Sequence, residues 1–349
     1  MSKRKNIQRS IILTVLLLTG IFRTHISSAQ DFTFSQFYEQ PLLRNPALAG
    51  LFTGDLRVSM SYRDQWGSVT VPFRTTSLSI EHKIPIGSKH DLITIASQMS
   101  VDAAGDIRLK RTQFLPSISF HKSLSEENDT YLTAAFMGGP VSSQFDATQL
   151  KLGDQFRGGS YDPSNSSAQP IRSTGYSYWD LNAGLSFSSS LKNKTNYYIA
   201  AGMTHITNPV IKSVTGNVSG FLSPKIAVNI GINVPSGERG HVTAFTDYFI
   251  QNGNTQLLSG ILYGIDVTQY DNGDPDIFYI GSFMRWGDAL IPVVKIGFNH
   301  ISIGISYDIN ISKLKVVSNW RGGMELTVVY HDFLKIRNST LDKLRCTRF

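Results

Sequence analysis

The sequence predicts an all-β protein: a transmembrane, antiparallel, up-and-down β-barrel of about 14 strands, with an N-terminal plug segment. Three observations carry this prediction. From residue 56 onward apolar and polar residues alternate with a period of two, which gives each strand one apolar and one polar face. The chain begins with an export signal. Polar or charged residues interrupt every later apolar run before it reaches the roughly 18 residues of a spanning helix.

Residues 1–29 are predicted to be a secretory signal peptide. A basic amino-terminal cluster precedes the apolar run 11–22, and small residues follow up to Ala29. That order of regions predicts cleavage between Ala29 and Gln30. A single-helix anchor is the alternative, but the apolar run is too short to span a bilayer. The mature chain therefore leaves the cytoplasm, and we expect it to insert in the cell outer membrane as a barrel.

Removal of the signal peptide changes the charge of the chain. The full sequence has a formal net charge of +7, but residues 1–29 hold five Lys or Arg and no acid. The mature chain then has 28 basic and 26 acidic residues. Because the two numbers nearly balance, the charge does not support nucleic acid as a partner. Because Cys346 is the single cysteine, an internal disulfide is excluded.

Residues 30–55 are predicted to form the plug rather than a strand. Pro41 and Pro46 lie within the stretch FSQFYEQPLLRNPALAG at 34–50. Each proline lacks an N–H and fixes φ, so neither a β-ladder nor a long helix can run through this stretch. Its aromatic and leucine side chains need an apolar surface to cover. We expect them to pack in the lower, periplasmic mouth of the barrel.

One helical turn is predicted within the plug. Asn45 can cap the turn, Pro46 suits its first position, and Gly50 can close it with a positive φ. These residue types predict a turn over residues 46–49.

Residues 56–332 are predicted to form the barrel. The segmentation gives an even number of strands, as bacterial outer-membrane barrels require. The predicted strands span residues 56–66, 73–83, 92–101, 112–123, 130–137, 179–188, 195–203, 221–234, 240–249, 255–267, 277–285, 290–299, 301–309 and 324–331.

An even strand number puts the plug and the C-terminal segment on one side of the membrane. Connections on the opposite side are longer: the longest there is 138–178, whereas the longest on the plug side is 268–276. Outer-membrane barrels have short periplasmic turns and long outer loops. The plug and residues 333–349, a basic tail of net charge +4, are therefore predicted to face the periplasm. The tail is either a solvated terminus or a docking element.

Two prolines conflict with the strand assignment. Pro116 and Pro292 fall inside predicted strands, and a closed barrel has no free edge at which a proline is tolerated. We expect either that these two strands begin later than assigned or that β-bulges occur at the prolines.

The sequence carries no recognisable catalytic motif. HExxH, P-loop and GxSxG patterns are absent, and the histidines are scattered singly. We therefore expect no enzymatic activity, no metal and no cofactor. The acidic loop 271–276 could hold Ca²⁺, but Gly273 and Pro275 occupy positions where oxygen ligands would be needed. An outer-membrane hydrolase with an outward-facing serine and histidine is the last-ranked hypothesis.

Charged residues on the polar strand faces are predicted to form ion pairs across the lumen, where charge is tolerated because lipid lies on the other face. Aromatic residues near strand ends, such as Trp66, are expected at the membrane interface. The predicted lumen charges are Arg57, Arg63, Asp64, Asp180, Asp247, Asp266 and Asp308.

Five motifs occur in order along the mature chain, and the chain ends in RCTRF. The motifs are the plug stretch at 34–50, YRDQW at 62–66, FMRWGDALIPVVKIGF at 283–298, ISYDINIS at 305–312 and RGGMELTVVYH at 321–331. Through these residues the chain resembles the PorP/SprF family of type IX secretion system outer-membrane proteins from Bacteroidetes. The ending is similar to a Cys-Pro-Arg-Phe terminus, with Thr347 in the place of proline.

The resemblance implies a non-enzymatic outer-membrane barrel that works with the type IX secretion and gliding machinery. It implies a role in export or surface anchoring of a large, repeat-rich, adhesin-like secreted protein. The implied partners are that protein, the secretion machinery and outer-membrane lipid. The motif residues chosen as interaction candidates are Phe37, Tyr38, Asn45, Pro46, Arg63, Asp64, Trp66, Arg285, Asp288, Tyr307, Asp308 and Glu325.

A second resemblance belongs to another functional class. The triplet Asn45, Pro46, Ala47 ahead of fourteen strands also resembles the hatch of FadL-type transporters of hydrophobic small molecules. In such a transporter the plug would be a gate. The YRDQW motif and the C-terminal GGMEL stretch favour the PorP/SprF family.

Overall fold

The part of the chain that the computed structural model describes leaves out both termini and five short internal stretches. The predicted signal peptide with its cleavage site, the basic tail after Phe333, and residues 271–275 of the acidic loop fall outside it. The described residues are 31–68, 71–87, 90–169, 174–213, 218–268 and 276–333.

Fourteen long antiparallel strands close into a barrel, as predicted. Each barrel strand pairs with the next one along the chain, and the first pairs with the last from Leu56↔Asp332 to Gln65↔Gly323. Four short strands, β6, β7, β10 and β11, lie outside the ring. In chain order the strands are β1 (Leu56–Gln65), β2 (Phe73–Ile86), β3 (Asp91–Ala104), β4 (Leu109–Ser125), β5 (Thr130–Gln144), β6 (Phe156–Arg157), β7 (Ser160–Tyr161), β8 (Gly175–Ser190), β9 (Asn196–Thr204), β10 (Val210–Ser213), β11 (Val218–Phe221), β12 (Lys225–Ser236), β13 (Gly240–Gln251), β14 (Asn254–Asp266), β15 (Ile277–Arg285), β16 (Ala289–Phe298), β17 (Ile301–Asn310) and β18 (Arg321–Asp332).

All fourteen predicted strands are present, and most boundaries shift by only a few residues. The largest difference is at β5, which continues to Gln144 instead of ending at residue 137. The alternation of inward and outward side chains continues through this extension. The sequence did not indicate the extension, because glycine and proline, here Gly138, Gly139 and Pro140, are residue types that usually end strands. Within the described residues, no helix is long and apolar enough to cross a membrane.

The barrel wall has an apolar outer face and a largely polar inner face. On β17, Ile303 and Ile305 point outward and are 37% and 53% exposed, whereas Ser306 and Asp308 point into the lumen and are buried. The same alternation recurs around the ring. An exposed apolar band around a closed barrel is the lipid-facing surface of an outer-membrane protein.

The two ends of the barrel differ in their connections. We call the end where β1 finishes the long-loop end, because it carries the connections 145–174, 205–224 and 311–320. The other end, the short-turn end, has 267–276 as its longest connection. This asymmetry agrees with the prediction. Two short hairpins, β6–β7 and β10–β11, lie in the longer loops, and β10 extends the edge of β8.

Both expectations for the two prolines in strands are wrong. Neither strand begins later, and neither ladder is bulged at the proline. The β4–β5 ladder stops at Gln113↔Val141 and resumes in the same register at Ser117↔Met137. We call this interval the β4–β5 gap. Pro116 on β4 faces it, as does Pro140 on β5, and neither residue can donate a hydrogen bond.

The second proline is accommodated in the same way. The β16–β17 ladder is interrupted between Leu290↔Ile309 and Val293↔Ser306, again without a change of register. Pro292 lies in this interval, and its side chain points outward. A closed ring fixes each strand through both neighbours, so one missing hydrogen bond is easier to accommodate than a register shift that would turn side chains to the wrong face.

Replacement of Pro292 by valine is expected to stabilise the barrel. Valine restores an N–H directed at β17 and keeps an apolar side chain toward lipid, so the free energy of unfolding should rise by about 0.5–1.5 kcal/mol. The matched control is Val294→Pro, two residues along the same face, where the ladder to Ile305 is intact and where stability should fall. Urea unfolding in detergent micelles measures both, and equal stabilities for the two variants would contradict the assignment.

Candidate functional site in the barrel lumen

The plug lies inside the lumen of the barrel. It consists of three short turns, Phe37–Glu39, Pro41–Arg44 and Pro46–Leu48. From residue 34 to residue 52 every residue except Leu43 is buried. The third turn, Pro46–Leu48, confirms the turn predicted over residues 46–49 and ends one residue earlier. Its cap is Asn45, whose Oδ1 accepts the Ala47 N–H at 2.9 Å.

The plug runs through the lumen between the two ends of the barrel. Its start lies near the long-loop end, where Ser35 contacts Glu325 on β18. Its finish lies near the short-turn end, where the Gly50 N–H donates to Glu81 on β2 at 2.9 Å. The expectation that the segment packs in the mouth at the short-turn end is therefore wrong. The successive turns each meet a different layer of wall residues, so the segment extends along the barrel axis.

The layer nearest the long-loop end is centred on Asp308. Its carboxylate accepts hydrogen bonds from the guanidinium groups of Arg63 and Arg285 at 2.8 and 3.0 Å. The hydroxyl of Ser35 donates to the same carboxylate at 2.5 Å. Charge-assisted hydrogen bonds of this kind are roughly twice as strong as neutral ones. A single wall carboxylate therefore holds two wall arginines and the start of the plug.

Glu325 holds the backbone of the plug directly. Its two carboxylate oxygens accept the N–H groups of Ser35 and Gln36 at 2.6 and 2.7 Å. The Gln36 amide oxygen accepts from the Thr327 hydroxyl at 2.8 Å. Two adjacent backbone donors on one carboxylate fix both the position and the direction of the chain here.

Aromatic rings form the next layer. Tyr38 stacks on Phe245 and Phe283, with ring centroids 5.2 and 4.9 Å apart. Phe37 meets the same two rings edge-on. Aromatic pairs in these geometries contribute about 0.5–1.5 kcal/mol each beyond their buried area.

A buried ion pair anchors the second turn. Arg44 donates from Nε and a terminal nitrogen to the two oxygens of Asp247, at 2.6 and 2.7 Å. It also donates to the Tyr198 hydroxyl at 2.8 Å, and its guanidinium lies 5.1 Å from the centroid of the Phe37 ring. Both charged side chains are at most 5% exposed. This is the bidentate geometry that partly offsets the cost of burying two charges.

Two glycines on the wall leave room for Asn45. The amide of Asn45 donates to Asn229 at 3.2 Å. A Cβ atom at Gly184 would overlap its Oδ1, and a Cβ at Gly202 would lie 2.7 Å from its Cγ. The absent side chains at these positions thus form the seat of the third turn.

Charged residues also hold the finish of the plug. Glu81 accepts from Gly50 and forms an ion pair with Arg57 at 2.7 Å. Lys83 donates to the Phe52 carbonyl at 2.6 Å and lies 4.4 Å from the centroid of its ring. The plug is therefore fixed at its start, in its middle and at its finish.

Most of the predicted candidates meet in this lumen. Asp288 lies beside them at the rim, 2.8 Å from Arg285 and half-exposed. The candidates that the structure brings together are Phe37, Tyr38, Asn45, Pro46, Arg63, Arg285, Asp308 and Glu325.

Three candidates lie elsewhere. Asp64 was predicted to face the lumen, but it points outward and pairs with Arg74 at 3.1 Å, because neighbours on a strand face opposite sides and Arg63 takes the lumen position. Trp66 lies at the end of β1 with φ +58° and packs against Phe73. Tyr307 is 40% exposed on the outer face.

Several residues of the network were not singled out from the sequence. Arg44, Gln36 and Gln40 belong to the plug, and Glu81 is its acceptor on the wall. A charged residue such as Arg44 in a mostly apolar segment was the available signal, since it needs a buried partner. Across the described residues, no group of His, Cys, Asp and Glu is arranged to hold a metal ion.

Comparisons with known proteins identify one family. The family model described as type IX secretion system membrane protein PorP/SprF matches residues 26–330. No curated protein matches the chain.

The chain is distantly similar to several solved outer-membrane barrels. The toluene transporter TodX of Pseudomonas putida has 10% identity and a TM-score of 0.48, with 87% of this chain and 95% of that chain covered. The monoaromatic hydrocarbon channel CymD has 11% identity and a TM-score of 0.45, with 85% and 93% covered. The translocator domain of autotransporter NalP from Neisseria meningitidis has 10% identity and a TM-score of 0.43, with 85% and 96% covered. Sequence identities of 10–11% with TM-scores below 0.5 do not indicate a function for this chain.

Removal of Arg44 is expected to loosen the plug. Arg44→Leu leaves Asp247 buried without its partner, which should lower the free energy of unfolding by about 3–5 kcal/mol. The double variant Arg44→Leu/Asp247→Leu should recover most of this loss because no unpaired charge remains.

The matched control for this prediction is an exposed ion pair. Arg74→Leu breaks the pair with Asp64, in which the arginine side chain is 59% exposed, and should cost about 0–1 kcal/mol. Urea unfolding of these three variants and of the wild type in detergent micelles makes the comparison. Equal losses for Arg44→Leu and Arg74→Leu would contradict a structural role for the buried pair.

Proposed function

The chain belongs to the PorP/SprF family of type IX secretion system membrane proteins, and we propose that it supports export or surface anchoring of a large, repeat-rich, adhesin-like protein. In this proposal it is a non-enzymatic outer-membrane component of the secretion machinery. The observation that carries the proposal beyond the family is the plug, which is buried inside the barrel from residue 34 to residue 52 except at Leu43.

A plug held inside the lumen by buried ion pairs favours a role as a platform over a role as a conduit. Movement of the plug would break the Arg44–Asp247 ion pair. It would also remove the two backbone N–H donors from the Glu325 carboxylate. Each broken charge-assisted contact leaves a buried charge uncompensated, which is costly. The exported partner would therefore work on the ends of the barrel rather than pass through it.

The two ends suit different partners in this proposal. The long connections 145–174, 205–224 and 311–320 lie at the long-loop end, and we assign this end to the adhesin-like protein. Long loops on a rigid scaffold commonly carry binding. The short turns and the basic tail after Phe333 would meet the secretion machinery in the periplasm. The candidate motif residues then act by fixing the plug and the shape of the barrel.

Locking the plug tests the platform role against a gated transporter. Phe37→Cys and Phe283→Cys replace rings whose centroids lie 5.4 Å apart, in a Cys346→Ser background. A short bis-maleimide should cross-link the two thiols. We expect cells carrying the locked protein to display large surface proteins at the wild-type level, since the plug need not move.

The control pairs the same chemistry with two single-cysteine variants, which cannot be cross-linked. A gene deletion sets the baseline and should abolish surface display of the adhesin-like partner. Normal display in the deletion strain, together with lost uptake of a hydrophobic nutrient, would overturn the proposal in favour of transport. Loss of display on locking alone would show that the plug must move.

A further inference from the structure

The β4–β5 gap makes a depression in the outer wall. Gly138 lies across the gap from Pro116 and has no side chain to cover the backbone. A groove of about 490 Å³ lies here, within the size range of small-molecule sites, about 300–1,000 Å³. The groove is separate from the plug network, because it opens on the outer face of the wall.

The groove is bordered by exposed apolar side chains. Ile118 on β4 is 53% exposed, Phe136 on β5 is 61% exposed, and Trp179 and Leu181 on β8 are 73% and 40% exposed. Together with Gly138 they form an apolar trough between ridges of larger side chains. A trough of this composition suits a flexible hydrocarbon chain better than a polar group.

The groove offers no exposed charge to a ligand. Asp180 is the one ionisable residue among those that line it. Its side chain is only 3% exposed, and its carboxylate is hydrogen-bonded to the His205 ring at 2.8 Å. A charged head group would therefore lie outside the groove, and the part held inside would be apolar.

The surroundings of the groove indicate the source of such a chain. Phe114 and Phe120 on β4 and Leu132 on β5 are 42%, 42% and 47% exposed on the same outer face, so the groove is continuous with the lipid-facing band. Trp179 lies toward the long-loop end of β8, and tryptophan prefers the head-group level of a membrane.

We propose that this wall groove binds one acyl chain of a membrane lipid from the leaflet at the long-loop end. The bound lipid would fill the depression that Pro116 and Gly138 leave in the wall. It would give the barrel a fixed lipid at β4, β5 and β8, distinct from the exchanging lipids around it. This inference does not rest on the proposed secretion role.

Tryptophan fluorescence tests the proposal on the full barrel in a detergent that does not quench. Trp66→Phe, Trp286→Phe and Trp320→Phe leave Trp179 as reporter. Phosphatidylcholine with a brominated acyl chain is then added. We expect saturable quenching of Trp179 at about one lipid per barrel.

The matched reporter is Trp286, which is 56% exposed on the opposite part of the ring. It is left as the single tryptophan by Trp66→Phe, Trp179→Phe and Trp320→Phe. Its quenching should be shallow and should not saturate. Identical quenching curves for the two reporters would mean that only bulk lipid is present and would overturn the proposal. Absence of any quenching of Trp179 by the brominated lipid would also overturn it.

Filling the groove gives an independent test. Ile118→Phe and Leu181→Phe should each weaken the saturable quenching by about tenfold, the order expected when a fitted apolar site is overpacked. Ile305→Phe is the control, because Ile305 has the same 53% exposure on β17 and should change the affinity less than about twofold. Heat-modifiable migration on gels verifies folding. Unchanged affinity in both groove variants would contradict the assignment.

Discussion

A charge inside a barrel lumen that is packed with protein must find an opposite charge, and the Arg44–Asp247 pair meets this constraint for the plug. Its two side chains are nearly inaccessible, so either one alone would be strongly destabilising. Asp247 is at the same time hydrogen-bonded to Asn229, which also contacts Asn45. The Asp247 carboxylate on β13 thereby links the second and third turns of the plug to the wall.

The rest of the lumen repeats this arrangement with other acids. Asp308 and Glu325 hold the start of the plug, and Glu81 holds its finish. All four acids lie on inward-facing strand positions, where the alternation of the barrel allows charge without contact with lipid. These contacts hold the plug inside the lumen. The loops, the turns and the outer wall then remain as surfaces for partners. Secretion partners would use the loops and turns, and a lipid would use the wall groove.

The period-two alternation was sufficient to predict the barrel and its strand number, since every second residue must face lipid. Pro41 and Pro46 were sufficient to predict a plug. The pairing of Arg44 with Asp247 was not predictable, because the partners are far apart in sequence and the match depends on the stagger of the strands. Asp64 was misassigned since Arg63 and Asp64 cannot both face inward. The gaps at Pro116 and Pro292 depend on ring closure, which no local pattern reveals.

Amide hydrogen exchange of the plug tests the claim that ion pairs with the wall fix the plug in the lumen. Mass spectrometry of the folded barrel would follow the peptides that contain Ser35, Gln36, Ala47 and Gly50, whose N–H groups are hydrogen-bonded to buried acceptors. We expect protection of these amides comparable to that of β13 and β18. Exchange as fast as in the exposed loop residues 145–169, with the strands still protected, would contradict this claim.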